Sequence, residues 1–190
     1  MTSINTFSHR FATMADLEEL KTLMAASIRT FIGAYLDKAH VEASFEIMGV
    51  DTQLIEDLTY FVVECNGCIA GCGGWSRRAT LFGGDHSVTR DVRLLNPKTE
   101  PARIRAMYTH PDFARRGVGR LILSLCEDVA AHEGFQSLEL VATIAGEPLY
   151  TAYGFSITER IKVPTSQGIH IPCALMVKPI SSRVQHECSF

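Results

Sequence analysis

The sequence predicts one α/β (α+β) domain built on a single sheet. Three observations predict it. Apolar residues step by three and four through Leu17, Leu20, Met24, Ile28 and Phe31, which is helical spacing. The period then changes. Two apolar runs, Tyr60–Cys65 and Cys68–Trp75, flank Asn66-Gly67, a pair that tolerates the positive φ of a two-residue hairpin turn. Helical spacing returns after Gly117, through Val118, Leu121, Ile122, Leu125, Cys126, Val129 and Ala130, with strand-like stretches on either side.

Taken in order, Phe7 to Phe11 alternates as a first strand. Thr13 stands three residues before Asp16 as a helix start, and acids at 16, 18 and 19 suit the positive end of the helix dipole. A second helix is expected from Asp37 to Met48, broken by Gly49, and a short third turn from Gln53 to Leu58. After the hairpin, Arg77 to Pro101 is irregular and polar, with Gly83-Gly84-Asp85-His86 in its middle. It reads as a long loop or insertion, the kind of segment that is either functional or mobile. Ala102 to Thr109 is a strand stopped by His110-Pro111, and the helix after Gly117 is closed by Gly134. Ser137 to Ala142 is a strand and Glu147 to Tyr153 a short helix. Phe155–Val163 and Ile169–Lys178 are the last strands. With no repeat or linker, residues 1–190 form one domain, with a core over about 5–178 and the insertion over about 77–101.

Eighteen basic and 21 acidic residues leave a net charge of −3, too balanced for a nucleic-acid binder or an acidic tail protein. The apolar stretches fall short of the roughly 18 residues of a membrane span, and Met1 to Arg10 is polar, so a soluble, cytoplasmic protein is expected. Cys65, Cys68, Cys72, Cys126, Cys173 and Cys188 lie mostly in apolar strand-like or helix-like runs and read as reduced core residues. Cys65 and Cys68 match half of a zinc knuckle, but no second pair completes four ligands, so they read as cross-strand neighbours and no metal is expected. The seven histidines lack H-x₃-H and H-E-x-x-H spacing, and Gly-x-Ser-x-Gly is missing.

Tyr108 to Arg120 is the stretch that carries chemistry. Arg115, Arg116 and Arg120 crowd a helix N-terminus, where each exposed cation opposes the dipole at a cost of about 0.3–1 kcal/mol. An anion among them would offset that cost. The first-turn N–H groups have no intrahelical acceptors, and Gly117 and Gly119 let a ligand approach, so a pyrophosphate fits; a solvated basic helix start is the plainer reading. The dinucleotide fingerprint lacks its third glycine, and no Gly-Lys-Ser/Thr of a phosphate loop occurs.

A strand, His110-Pro111, then Ala114-Arg115-Arg116-Gly117-Val118-Gly119-Arg120 and an apolar helix resembles the acyl-CoA-binding motif of the GNAT acetyltransferase superfamily, Gln/Arg-x-x-Gly-x-Gly/Ala. Ala114 departs from it, standing where Gln or Arg is common. About 30 residues downstream, Ala142 to Phe155 is similar to the family's later signature, a small Tyr-bearing helix before a Gly-Phe turn. The resemblance spans about residues 5–178 and implies a mixed, mostly antiparallel central sheet of six to seven strands flanked by about four helices.

It also implies an N-acetyltransferase that moves an acetyl group directly from acetyl-CoA to a primary amine of a small molecule, without a metal. By that resemblance a backbone N–H near Met107, Tyr108 and Thr109 would meet the thioester carbonyl, and Arg115, Arg116, Gly117, Val118, Gly119 and Arg120 would hold the pyrophosphate. Tyr150 occupies the place of the general acid for the departing thiolate, with Tyr153 as fallback. Ala145 replaces the Asn that often bonds the pantetheine arm. No motif singles out a base: Glu64, Glu139, His110, Asp85, His86 and water all stand as candidates. Arg77-Arg78 would clamp an acceptor anion or simply end a strand, and Trp75 would wall the acceptor pocket or fill the core. The alternative function is a non-catalytic acyl-CoA-binding or sensing module with the same fold. A homodimer through the sheet edge or the last strands is compatible with either.

Overall fold

The computed structural model describes residues 6–87 and 90–181. Seven strands form one sheet: β1 (Ser8–Phe11), β2 (Tyr60–Cys65), β3 (Cys68–Ser76), β4 (Ala102–Thr109), β5 (Ser137–Thr143), β6 (Ser156–Pro164) and β7 (His170–Pro179), in the order β1-β2-β3-β4-β5-β7-β6. Every neighbouring pair is antiparallel except β4 and β5. The helices are α1 (Leu17–Ser27), α2 (Lys38–Ile47), α3 (Thr52–Glu56), α4 (Val118–His132) and α5 (Glu147–Tyr153). The mixed, mostly antiparallel sheet expected from the sequence is therefore present. The short turn expected after Gln53 is a fifth helix, beginning at Thr52 because the Asp51 side chain accepts the Gln53 N–H.

Local chemistry explains the element ends. Thr13 N and Oγ1 both donate to Asp16 Oδ2, at 2.7 and 3.0 Å, so the chain turns helical there through a 3₁₀ turn, Met14–Asp16. Arg10 grips the same carboxylate at 2.8 Å and holds its pKa down at about 2. α1 runs on into a π-helical turn, Ile28–Ile32, which periodicity did not reveal. Asn66 and Gly67 have φ of 53° and 80°, the conformation the hairpin turn requires. Cys65 and Cys68 are register partners across it. Cys65, Cys72, Cys126 and Cys173 are buried free thiols and Cys68 is an exposed one; Cys188 lies outside the described residues.

The two faces of the sheet carry separate cores. Trp75, Ile122, Leu123, Leu138 and Met176 fill the α4 side, and Leu20, Leu54, Tyr60, Val62 and Cys72 the α1 side. α4 lies close over β3 because β3 is glycine-rich. A Cβ at Gly71 would stand 2.5 Å from Val118 Cγ1, and one at Gly73 3.0 Å from Ile122 Cγ2.

β4 departs from regular strand geometry at its centre. Cys72 pairs with Tyr108 and Gly74 with Arg105, so Ala106 and Met107 together oppose Gly73. This is a bulge, with Ala106 left-handed at φ 50° and its carbonyl accepting the Tyr60 hydroxyl at 2.8 Å. On its other edge β4 pairs with β5 only at Ala102↔Leu138 and Arg103↔Glu139, where Arg103 and Glu139 also form an ion pair. Beyond that point the two strands part.

Between Ser76 and Ala102 the described residues hold no helix or named strand, only a bridge between Arg78 and Leu94. The segment is nonetheless tied to the body. Arg78 pairs with Asp57 at 2.7 Å and Arg90 with Asp51 at 2.7 Å. From β4, Arg105 donates to Thr80 O, Gly83 O and Asp51 Oδ2, each at 2.9 Å. Asp51 and Arg105 are 2% and 3% exposed, and burial lowers the Arg105 pKa while Asp51 raises it. Truncating Asp51 strands a buried guanidinium. Asp51→Ala should cost about 3–5 kcal/mol, read as a lower urea midpoint with an unchanged m-value.

Candidate functional site

The parting of β4 and β5 opens a cavity of about 730 Å³. Its walls are the central part of β4, the turn leading into α4, α5, the end of β5, the π-helical turn after α1 and the 81–83 loop. His110 donates its N–H to Ala70 O at 2.9 Å, on the β3 side. By strand alternation the N–H groups of Thr109 and Met107 point the other way, toward the opening.

The turn from β4 to α4 is built to receive negative charge. Arg115 (φ 62°) and Gly117 (φ 89°) are both left-handed, which curls successive N–H groups into a concave nest. The Leu121 N–H is bonded to Gly117 O at 2.9 Å, so the N–H groups of Val118, Gly119 and Arg120 precede any i−4 acceptor. Met107, Tyr108, Thr109, Arg115, Gly117, Val118, Gly119, Arg120 and Tyr150 all line this one cavity. The Tyr108 ring is committed to the core, its hydroxyl donating to Gly49 O at 3.4 Å, so it offers the site main chain. Arg116 is set apart from the other residues expected here. Its guanidinium lies 5.4 Å over the Phe113 ring and lines a second cleft with Glu19, Cys68 and His110.

Tyr150 is 9% exposed and packs edge-on against Phe155. Among the described residues its hydroxyl has no protein hydrogen-bond partner. Burial pushes its pKa up, so the phenol keeps its proton at neutral pH. Tyr153 is engaged elsewhere: its hydroxyl donates to Glu127 Oε2 at 2.8 Å, and Arg120 and Lys178 sit over its ring.

The five side-chain base candidates are all engaged outside the cavity. Glu64 pairs with Arg10, and Glu139 with Arg103. The His110 ring accepts the Asp112 N–H at 3.2 Å. Asp85 accepts from Thr52 N and Oγ1, and His86 Nε2 lies 2.9 Å from Glu46 O. Arg77 and Arg78 are paired with Glu133 and Asp57, and Trp75 is fully buried. The residues that sequence reasoning missed form the far end of the cavity: Phe31, Tyr35, Met48, Phe82, Arg105 and Cys173. Only Arg105 left a signal, a charge within an otherwise strand-like run. Nothing lies within 4 Å of a Cβ built on Gly117, so replacing it tests backbone conformation alone. Gly117→Ala should destabilise the protein by about 1 kcal/mol in chemical denaturation, from the left-handed φ it imposes on a side chain.

Among the described residues no helix is long and apolar enough to cross a membrane. No curated protein sequence matches the chain. Solved structures do match in fold. A GCN5-related N-acetyltransferase from Rhodopseudomonas palustris shares 17% identity at a TM-score of 0.68, covering 94% of this chain and 99% of its own. PaiA N-acetyltransferase from Thermoplasma acidophilum, in complex with coenzyme A, shares 12% at 0.62, with 92% and 99% covered. YncA, a putative acetyltransferase from Salmonella typhimurium with acetyl-CoA, shares 18% at 0.60, with 97% and 100% covered. The family model for the acetyltransferase (GNAT) family matches residues 20–155, most of the chain and all of the cleft-forming strands β4 and β5, so this chain belongs to the GNAT acetyltransferase family.

Proposed function

We propose that this protein is an acetyl-CoA-dependent N-acetyltransferase that transfers acetyl directly to the primary amine of a small molecule. The observation that carries the reading is convergence: an N–H nest, an open β4 edge and a protonated, unpartnered phenol face one cavity. The solved structures of similar fold that hold coenzyme A and acetyl-CoA support the choice of donor.

Each part of the site meets one requirement of thioester aminolysis. The nest at Arg115–Arg120 suits a pyrophosphate, since its donors are main-chain N–H groups and its two cavity-facing arginines are cationic. A pantetheine arm laid along β4 would meet the main chain that β5 leaves unpaired, in the place of the Asn that Ala145 cannot supply. The Met107 or Thr109 N–H would stabilise charge developing on the thioester oxygen. Tyr150 donates its proton to the leaving sulfur. Cys173 also lines the cavity, but burial pushes its thiol up to about 12, so it holds little thiolate with which to form an acyl-enzyme. That favours direct transfer.

Two measurements test the reading. Acetyl-CoA at 100 times its Kd should stabilise the folded protein by about 2.7 kcal/mol, a visible rise in Tm that shrinks in Arg115→Ala and Arg120→Ala. Tyr150→Phe should lower kcat about 10²–10⁴-fold and leave acetyl-CoA affinity within about twofold. Acetyl-CoA binding with no turnover of any amine would instead mark a sensing module, and an unchanged kcat would remove Tyr150 from the chemistry.

A further inference from the structure

The charge lining the cavity narrows the acceptor. Its charged side chains are Arg105, Arg115 and Arg120, all cations, and no Asp, Glu or His is among the described residues that line it. Arg115 and Arg120 belong to the phosphate end. The far end offers Phe31, Tyr35, Met48, Phe82 and Cys173, with Arg105 as the only charge. Two anions stand behind that end, and both are taken: Asp51 is 2% exposed and paired with Arg105 and Arg90, and Glu147, which acts on Cys173, is paired with Arg160 at 2.8 Å.

An ammonium entering this space would give up its hydration beside a guanidinium and meet no counter-charge. Desolvation and a neighbouring cation both favour the neutral amine. An aliphatic amine with a lysine-like pKa of about 10.4 is neutral in only about one molecule per 10³ near pH 7. An aromatic amine, whose lone pair is delocalised into its ring, is neutral at that pH. Its flat apolar body also suits walls of Phe, Tyr and Met. Building on the acetyltransferase reading, we infer that the acceptor is a weakly basic aromatic amine that enters this cavity uncharged.

Proton balance agrees with that choice. The amine nitrogen forms the N–C bond as the C–S bond breaks. The Tyr150 phenol gives its proton to the departing sulfur, and the phenolate takes back the proton the nitrogen sheds. Amine plus thioester become amide plus thiol with no external base. An ammonium acceptor would have to lose one further proton, for which the lining residues provide no carboxylate or imidazole.

The test uses two isomers of equal size, 4-methylaniline and benzylamine, with the purified full chain, saturating acetyl-CoA and thiol release as readout. At about pH 7, kcat/KM for 4-methylaniline should exceed that for benzylamine about tenfold or more and stay flat toward pH 9, while any benzylamine rate climbs up to about tenfold per pH unit. Preference for benzylamine at pH 7 overturns the inference. So does a Tm rise with acetyl-CoA while neither isomer is acetylated, a result that leaves the acetyltransferase reading standing. No Tm rise with millimolar acetyl-CoA removes that reading, and the inference with it.

Discussion

A backbone N–H or C=O shut away from water needs a partner, and β4 loses its partners on one edge when β5 departs after the Arg103↔Glu139 pair. Each unmet group of this kind costs about 1–3 kcal/mol if it is also desolvated. The fold avoids that cost by leaving the edge facing a cavity, where water or a ligand meets it. The bulge at Ala106–Met107 bends the strand at the same place, and the Tyr60 hydroxyl holds the displaced Ala106 carbonyl from the opposite core. A side chain at Gly73 would have to displace the Met107 thioether, which stands 2.3 Å from the place of its Cβ. The cleft thus follows from β3, β4 and β5 together.

The far wall depends on a different interaction. Asp51 caps α3 through the Gln53 N–H, accepts from Arg105 on β4 and from Arg90 on the 77–101 segment, and is almost wholly buried. One carboxylate therefore joins the sheet, a helix start and a loop whose described residues form no helix or strand of the sheet. Arg105 extends the linkage by binding the carbonyls of Thr80 and Gly83, and Gly83 lines the cavity. Such a buried cluster contributes little net stability while intact, yet breaking it exposes an uncompensated charge. Its effect is on shape: it fixes where the loop can stand relative to β4.

Much of this was legible in the sequence, for local reasons. Asn66-Gly67 names its own turn, the apolar period over Val118–Ala130 names its helix, and a cluster of arginines at a helix start is anomalous unless an anion belongs there. What escaped depends on long-range pairing. The bulge arises from the register of β3 against β4, the Arg105–Asp51 contact joins residues 54 apart, and the far end of the cavity is assembled from five separate segments. Arg116 shows the limit at close range. It adjoins Arg115 in sequence, but Arg115 is left-handed, and the Arg116 side chain lies over Phe113 and lines the second cleft. No spacing rule carries that reversal.

The unpartnered phenol and the carboxylate-free cavity are two views of one design. A carboxylate within reach would hold a cationic acceptor, but it would also accept the Tyr150 hydroxyl and turn that proton away from the reacting sulfur. Tyr153, three residues on, displays that outcome: Glu127 takes its hydroxyl, and it lines no part of the cavity. With apolar walls around Tyr150, burial keeps the phenol protonated, and in the proposed reaction the substrate sulfur is the acceptor left for it. On the proposed mechanism the same walls make the acceptor's own basicity decisive, because no Asp, Glu or His among the described lining residues is there to remove a proton before attack. If Tyr150 is the acid proposed, its protonation and the charge selection of the amine are set together by what the cavity is made of.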